Sequence, residues 1–523
     1  MIIERDVPVR LRDGAVILVD VFRPADESPA APLIGWGPYG KHGHIQYHQT
    51  FPNWGGDPSH ISKYAAFEAP DPLFWVPRGY AIINPDTRGT WGCEGRATYL
   101  SPEEALDFYD LIEWAGTQRW SNGKVGLAGV SYLASAQWRV AETHPPHLAA
   151  INPWEGWADT YREVVRHGGI PETYFWPYLT PRWGTSTTEV EDLQAETREH
   201  PLFDAFWKSK AADFAKIRVP AYVVASWTDQ GLHTRGTLEG FKCIASQEKW
   251  LEVHGRKKWA YFYEPASVNR QLQFFDHFLR GNPHSIADWP RVRLEARERF
   301  CVGDMHFEDE WPLARTRYEK LFLDAQGGTL RHVPLSEESS VAYGTERAVG
   351  NTERAQFDFT FDQRTDLIGH MKLRLWASAP QANDLDLFVA IQKLDAKGVV
   401  VPFAFWAHFD DGPVALGWLR ASHRELDPGK STAHQPVLSH QRSVAVPRGE
   451  IVPLDIEIWP SGTRFEAGES LRLVIQGSDI YIYPKPVMCD RHEQTVNQGP
   501  HVIHTGGQYD SHLLVPVIPD RGA

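Results

Sequence analysis

The chain has 523 residues, too many for one ordinary core, so two or three domains are expected. Hydrophobic residues at 42% and charged residues at 23% are ordinary for a globular protein, while a formal net charge of -14 argues against a nucleic-acid partner, which needs a basic surface. Cys93, Cys243, Cys301 and Cys489 are scattered, with no C-x-x-C spacing, which excludes a disulfide framework and gives no zinc signature.

In chain order, VPVRL and AVILVDVFRP predict a hairpin turning at Arg12-Asp13-Gly14. The opening MIIERDVPVRLRDG has charges where a signal peptide has its apolar core, and no apolar run reaches the ~18 residues of a membrane helix. A cytoplasmic protein with no membrane partner is therefore expected. APLIGW is a short buried strand before the Gly-rich loop GPYGKHGH, and GYAIINPDTRG is an apolar strand running into a polar loop. EEALDFYDLIEWAGTQRW sets Ala105, Phe108, Leu111, Ile112 and Ala115 on one helical face. KVGLAGV then reads as a strand and LASAQWRVAETH as a helix, so strands alternate with helices, which implies a largely parallel sheet.

From about 150 to 215 the pattern changes: WEGWADTYREVVRH and EVEDLQAETREHPLFDAFWKSKAADF read as helices joined by the aromatic ETYFWPYLTPRWG. VPAYVVASW and KWLEVH resume the strands, with the helix TRGTLEGFKCIA between them, and SVNRQLQFFDHFLRG is a helix stopping at Gly281. After about 290 only strand patterns follow, among them KLRLWASA, DLDLFVAIQKLD, VPLDIEIWP and ESLRLVIQG. The expected class is an α/β-hydrolase domain (1–149 and 216–285) with a helical cap insertion (150–215), followed by an all-β jelly-roll sandwich (286–523).

A serine hydroxyl needs a base to act as a nucleophile, and the base needs an orienting carboxylate. Ser131 follows the strand KVGLAGV, Asp229 follows VPAYVVASW, and His254 ends KWLEVH, which is the Ser, Asp, His order of the α/β-hydrolase fold. Gly129 stands two before Ser131 as G-x-S-x-G requires, but Leu133 stands two after it. Taken alone, this stretch fits a helix-capping serine as well as a nucleophile elbow. Asp229 alone fits a helix cap, and His254 is one of 23 histidines.

With these residues in view, the chain resembles the family that includes cocaine esterase, the X-prolyl dipeptidyl-peptidases, the α-amino-acid ester hydrolases and the glutaryl acylases. The resemblance is carried by GVSYLA, by NPDTRGTWGCEGR, by SWTDQ with LEVHGRKKW, and by IWPSGTRFEAGESLRLVIQGSD with HTGGQYDSHLLVPVIP. It implies Ser131 as the acyl-carrying nucleophile, His254 as general base and acid, and Asp229 as the residue orienting it. It also implies an oxyanion hole made by the Tyr132 N–H and the Tyr39 hydroxyl. Several members carry G-P-W-x-H-G around the histidine, where this chain has E-V-H-G-R-K-K-W. His233 is the fallback base, although it precedes the last strand and breaks the usual order.

Trp154, Trp157, Tyr161, Phe175 and Trp176, with Tyr174, Tyr178 and Trp183, form either a wall for the acyl group or the core of a small cap. Glu155 and Asp159 read as helix-start carboxylates or as a clamp for a substrate amine, and Asp86 with Arg88 as a loop-fixing salt bridge or a shaper of the pocket. The expected activity is hydrolysis of a small-molecule ester or amide, with no cofactor and no metal. An X-prolyl dipeptidyl aminopeptidase and an α-amino-acid ester hydrolase or acylase are the enzymatic alternatives. A jelly-roll binding protein with a degenerate hydrolase domain is the non-enzymatic one. A homo-oligomer is compatible with the sequence.

Overall fold

The computed structural model describes residues 1–26, 28–42, 46–180, 190–346 and 353–519. The expected hairpin, Ile2–Arg10 with Val16–Arg23, forms one edge of a long sheet. From it the order runs Tyr80–Asp86, Ala31–Ile34, Val125–Val130, Leu148–Trp154, Ala221–Ser226, Lys249–His254 and Val292–Arg299. From Tyr80–Asp86 onward neighbouring strands are parallel. Parallel strands need crossovers, and helices supply most of them.

Local chemistry sets the helix ends. Pro102–Gly116 starts at Ser101, whose side chain accepts from the Glu104 N–H, with Pro102 in the first turn. Pro265–Arg280 also begins with proline and ends at Gly281 in the left-handed region. The helix Tyr132–Ala141 is buried along its whole length between the sheet and its neighbours.

Between Trp154 and Ala221 the helices are shorter than the sequence pattern suggests: Phe175–Leu179, Leu193–Glu199 and Ala205–Ser209. The apolar run around Tyr161 makes only a π-turn, Tyr161–Val165, and then a small hairpin of Arg166–His167 with Ile170–Pro171. The reason is tertiary. Gly168 turns with φ +56, and a side chain there would meet the Trp418 carbonyl at 2.1 Å. The C-terminal region thus packs directly against the point where the helix would continue.

The C-terminal strands differ from an open two-sheet sandwich: their pairings return on themselves as a closed β-barrel. Arg317–Asp324 pairs with His512–Ile518, which pairs with Thr365–Ser378, then Val452–Phe465, Ala415–Arg420 and Asp386–Leu394. Ser470–Gln476, Ala355–Thr360 and Thr329–Arg331 complete the circuit back to Arg317–Asp324. Two of the links are narrow, a single residue pair each: Gly417 with Ile458, and Thr329 with Asp358. The barrel has its own core of Leu, Ile, Val and Phe side chains. Its outer residues Phe405, Trp406, Leu416, Trp418 and Trp459 join the core of the first unit.

The two units grip one segment, Trp227–Gly231. Gln230 donates to the Pro460 carbonyl (3.0 Å) and accepts from the Leu416 N–H (3.2 Å). Trp227 donates to the Glu295 carbonyl (2.7 Å), and Trp406 donates to the Thr228 and Gln230 carbonyls. His167 meets the Gly231 carbonyl at 2.7 Å.

Candidate active site

Ser131 sits between the strand Val125–Val130 and the helix Tyr132–Ala141 with φ 61, a left-handed conformation that costs a non-glycine residue about 1–3 kcal/mol. Its side chain makes no capping bond to the helix. Instead Oγ lies 3.1 Å from His233 Nε2. That distinguishes an elbow from a cap. The missing second glycine is explained by neighbouring space: side chains at Gly35, Gly37 or Gly129 would come within 3.2, 2.4 and 2.6 Å of Leu133. Three glycines around it make room for one leucine.

His233 arises from the turn that follows Ala221–Ser226. The Asp229 carbonyl accepts from the backbone N–H groups of Leu232, His233 and Thr234, which folds the turn so that residues 229 and 233 face one another. Asp229 Oδ2 takes the hydrogen bond of His233 Nδ1 and, at 2.9 Å, that of Lys258 Nζ. Asp229 Oδ1 is buried with no partner. Both Asp229 and His233 are 0% exposed, and Ser131 is 6% exposed. Burial pushes the Asp229 carboxyl up, but Lys258 and His233 outweigh it and hold it below the usual carboxylate range. Burial and then Lys258 push His233 down, with Asp229 opposing. Trp157 stacks on the imidazole, with ring centroids 5.6 Å apart.

His254, the expected base, is elsewhere. Its Nε2 meets Glu155 Oε1 at 3.1 Å, and its Nδ1 accepts from the Arg256 N–H at 3.1 Å. Both ring nitrogens are therefore engaged, neither by Ser131 nor by Asp229. The cause is the pleat of the sheet. His254 is the last residue of its strand, in register with Ser226, and Ser226 donates to the other oxygen of Glu155 at 2.6 Å. A strand-end side chain keeps the face its strand gives it, here against Trp154 and Tyr261. Asp229 stands where the sequence put it, but its partner is the fallback His233, from the same turn.

The oxyanion candidates lie on either side of Ser131. Tyr132 supplies the first N–H of the helix, while its hydroxyl donates to Glu104 at 2.8 Å. Tyr39 packs edge-on to Phe67 and Tyr132, and its hydroxyl interacts with Ser131 and Glu68. Burial above all, then Glu68, pushes the Tyr39 hydroxyl well above its ordinary range. Sequence reasoning missed Glu68 and Lys258. Glu68 Oε1 accepts from Trp259 Nε1 at 2.7 Å, and Oε2 is buried without a partner. Burial pushes this carboxyl up to about 8, against Lys258 and Trp259. The only signal for Lys258 was its place in GRKKW directly after the strand that ends at His254.

The X-Pro dipeptidyl-peptidase (S15 family) model matches residues 13–257, and the X-Pro dipeptidyl-peptidase C-terminal non-catalytic domain model matches 284–514. A CocE/NonD family hydrolase from Staphylococcus aureus is 42% identical, with a TM-score of 0.96 over 99% of this chain and 94% of that one. The chain belongs to the CocE/NonD hydrolase family. Among more distant relatives, cocaine esterase from Rhodococcus sp. is 26% identical over 66% of each chain. A putative Xaa-Pro dipeptidyl-peptidase from Bacillus anthracis is 24% identical over 78% of this chain and 70% of its own. CocE/NonD membership makes the chain a serine hydrolase of ester or amide bonds, built from a catalytic and a C-terminal non-catalytic domain.

In this CocE/NonD hydrolase the expected aromatic wall divides. Trp157 joins His233, Tyr132 and Trp176, and Trp176 continues through Phe175 to Trp406 of the C-terminal unit. Trp154 is on the other side of the sheet against Tyr222 and Phe262. Tyr161 is in the insertion core with Phe203 and Trp207, its hydroxyl on the Pro201 carbonyl. Neither side chain stacks on His233, although the Trp154 carbonyl accepts the Ser131 N–H at 3.0 Å. Tyr174 and Tyr178 pack on each other, and Trp183 lies outside the described residues. Asp159 receives the Tyr161 and Arg162 N–H groups, as a helix-start carboxylate does.

Asp86 and Arg88 do not pair with each other: Asp86 holds Lys41, and Arg88 holds Asp107 and Asp13, which fixes their loop. Among the described residues, three groups bring metal-ligand atoms together: His167 with Asp490 and His492, Asp6 with Asp20 and His42, and Glu196 with Glu199 and His200. None includes a residue of the Ser131 site. No described helix is long and apolar enough to cross a membrane.

Proposed function

We propose that this hydrolase cleaves a small carboxylic ester, or secondarily an amide, through an acyl-enzyme on Ser131. The observation that carries this reading is the strained, uncapped Ser131 with Oγ 3.1 Å from His233 Nε2. Ser131 Oγ attacks the carbonyl carbon while its proton passes to His233 Nε2. Asp229 holds the Nδ1–H and stabilises the imidazolium that forms. The tetrahedral oxyanion is met by the Tyr132 N–H and the Tyr39 hydroxyl, donors each worth roughly 3 kcal/mol in the transition state. Collapse expels the leaving group, protonated by His233, and water reverses the steps to free the acid. This chemistry needs no cofactor and no nucleic acid.

The Trp157–Trp176–Phe175 row beside His233 supports an apolar acyl group. The fold is read as an α/β-hydrolase domain in 1–149 and 216–285 with a cap in 150–215, and 286–523 as a barrel of jelly-roll type. The family also supports an X-Pro dipeptidyl-peptidase as the second reading. That reading needs an acid for the substrate amine, and of the two expected candidates Glu155 is bonded to His254 and Ser226 and Asp159 to Arg162. A fluorophosphonate probe should label Ser131 in the wild type and not in Ser131→Ala. Equal labelling of the two would refute the mechanism. Turnover of p-nitrophenyl esters should exceed that of X-Pro amides; turnover of the amides alone would reverse the order of the two readings.

A further inference from the structure

A buried lysine on the acid–base pair is what a serine relay does not need, since a third charge there changes how the pair holds its proton. Lys258 is the first residue of the helix Lys258–Tyr263 and is buried. Its Nζ is 2.9 Å from Asp229 Oδ2 and 3.3 Å from His233 Nδ1. Asp229 Oδ2 therefore serves two donors while Oδ1 has none. Because Nδ1 must carry the proton given to Asp229, the ammonium cannot donate to it, and it stands instead as a positive charge beside the ring. Resting on the hydrolase reading above, we propose that Lys258 is a positioning residue of the relay: it keeps Asp229 ionised in a buried site and makes the protonated form of His233 costly, so that the resting base stays neutral.

The surroundings support this. Three buried carboxyls converge here: Asp229 from the turn after Ala221–Ser226, Glu155 from the end of Leu148–Trp154, and Glu68 from the segment that also bonds the Val130 N–H. Asp229, Glu68 and Glu155 in turn favour the charged form of Lys258. Glu155 is also held by His254, Tyr39 faces Glu68, and His408 of the C-terminal unit lies near Lys258 and is driven down to about 4 by burial and then by that charge. Lys258 is thus the cation at the centre of the cluster. Without it the Asp229–His233 pair takes up a proton more readily, whichever partner holds it, because burial of an uncompensated Asp229 carboxylate is disfavoured. The acid limb of activity must then move up.

The test is the pH dependence of kcat/KM for p-nitrophenyl acetate, and of fluorophosphonate labelling at Ser131, in the wild type, Lys258→Met and Lys258→Gln. The wild-type acid limb should fall below the ~6.5 of an ordinary histidine. In both variants it should rise by about one pH unit or more, with kcat down roughly tenfold or more and KM within about threefold. A wild-type acid limb at or above that of an ordinary histidine overturns the proposal, and this measurement needs no variant. An unmoved acid limb in a folded variant overturns it as well. Absence of labelling in the wild type at every pH refutes the hydrolase reading itself, whereas labelling with an ordinary, Lys258-insensitive limb removes Lys258 alone.

Discussion

At the same end of the parallel sheet two fully buried histidines each meet a carboxylate: His233, in a turn, on Asp229 and His254, at a strand end, on Glu155. Their strands are neighbours, and Ser226 and His254 lie in register. The difference is where the histidine leaves the backbone. His254 belongs to the strand, and the pleat commits its ring to a closed network with Ser226 and Arg256. His233 lies beyond the strand, in a turn knotted around the Asp229 carbonyl, and is aimed at Ser131. Strand-end position is therefore not enough to bring a histidine to the serine.

Five experiments would break or sharpen that contrast. His233→Ala should lower kcat roughly 10,000-fold or more, while folded His254→Ala stays within about tenfold of wild type in kcat/KM. The reverse pattern would return the base to residue 254. For stability the contrast inverts: His254→Ala strips a partner from buried Glu155 and should cost about 3 kcal/mol in chemical denaturation. Tyr39→Phe should lower kcat about 100-fold with little change in KM, and an unaffected kcat would remove its hydroxyl from the oxyanion hole.

Gln230→Ala leaves the Leu416 N–H and the Pro460 carbonyl without this partner and should cost about 2 kcal/mol, read as a lower midpoint in urea. The smallest effect is expected from Glu68→Gln. Because the native Glu68 carboxyl is pushed up to about 8, its neutral form is favoured on folding. That stabilisation is complete below the ordinary carboxyl range and is lost as pH rises towards 8. The Tm should therefore fall less between pH 5 and pH 8 in Glu68→Gln than in the wild type; parallel profiles would rule this out.

Much of this was legible in the sequence. The alternation of strand and helix, the position of Ser131 and the strand-end position of Asp229 follow from apolar periodicity and order. The choice between His254 and His233 did not, because periodicity assigns a residue to a strand but not to the neighbours its side chain meets. Lys258 was hidden for a related reason: a lysine in a basic run reads as solvated surface, and only the convergence of three distant carboxyls explains its burial. The closure of the barrel rests on single residue pairs, Gly417 with Ile458 and Thr329 with Asp358, which leave no pattern along the chain. The helix expected through Arg166 was cut short by Trp418, a contact with a partner some 250 positions away.

The grip on Trp227–Gly231 has a consequence for how the enzyme comes into being. Besides His167, the residues that grip this segment include 295, 406, 416 and 460, all made after Ser131, Asp229 and His233. During synthesis Ser131, Asp229 and His233 emerge first, and the partners of this segment at 406, 416 and 460 follow much later. A nascent or truncated first half holds Ser131, Asp229 and His233 but lacks these later hydrogen bonds to the turn beside them.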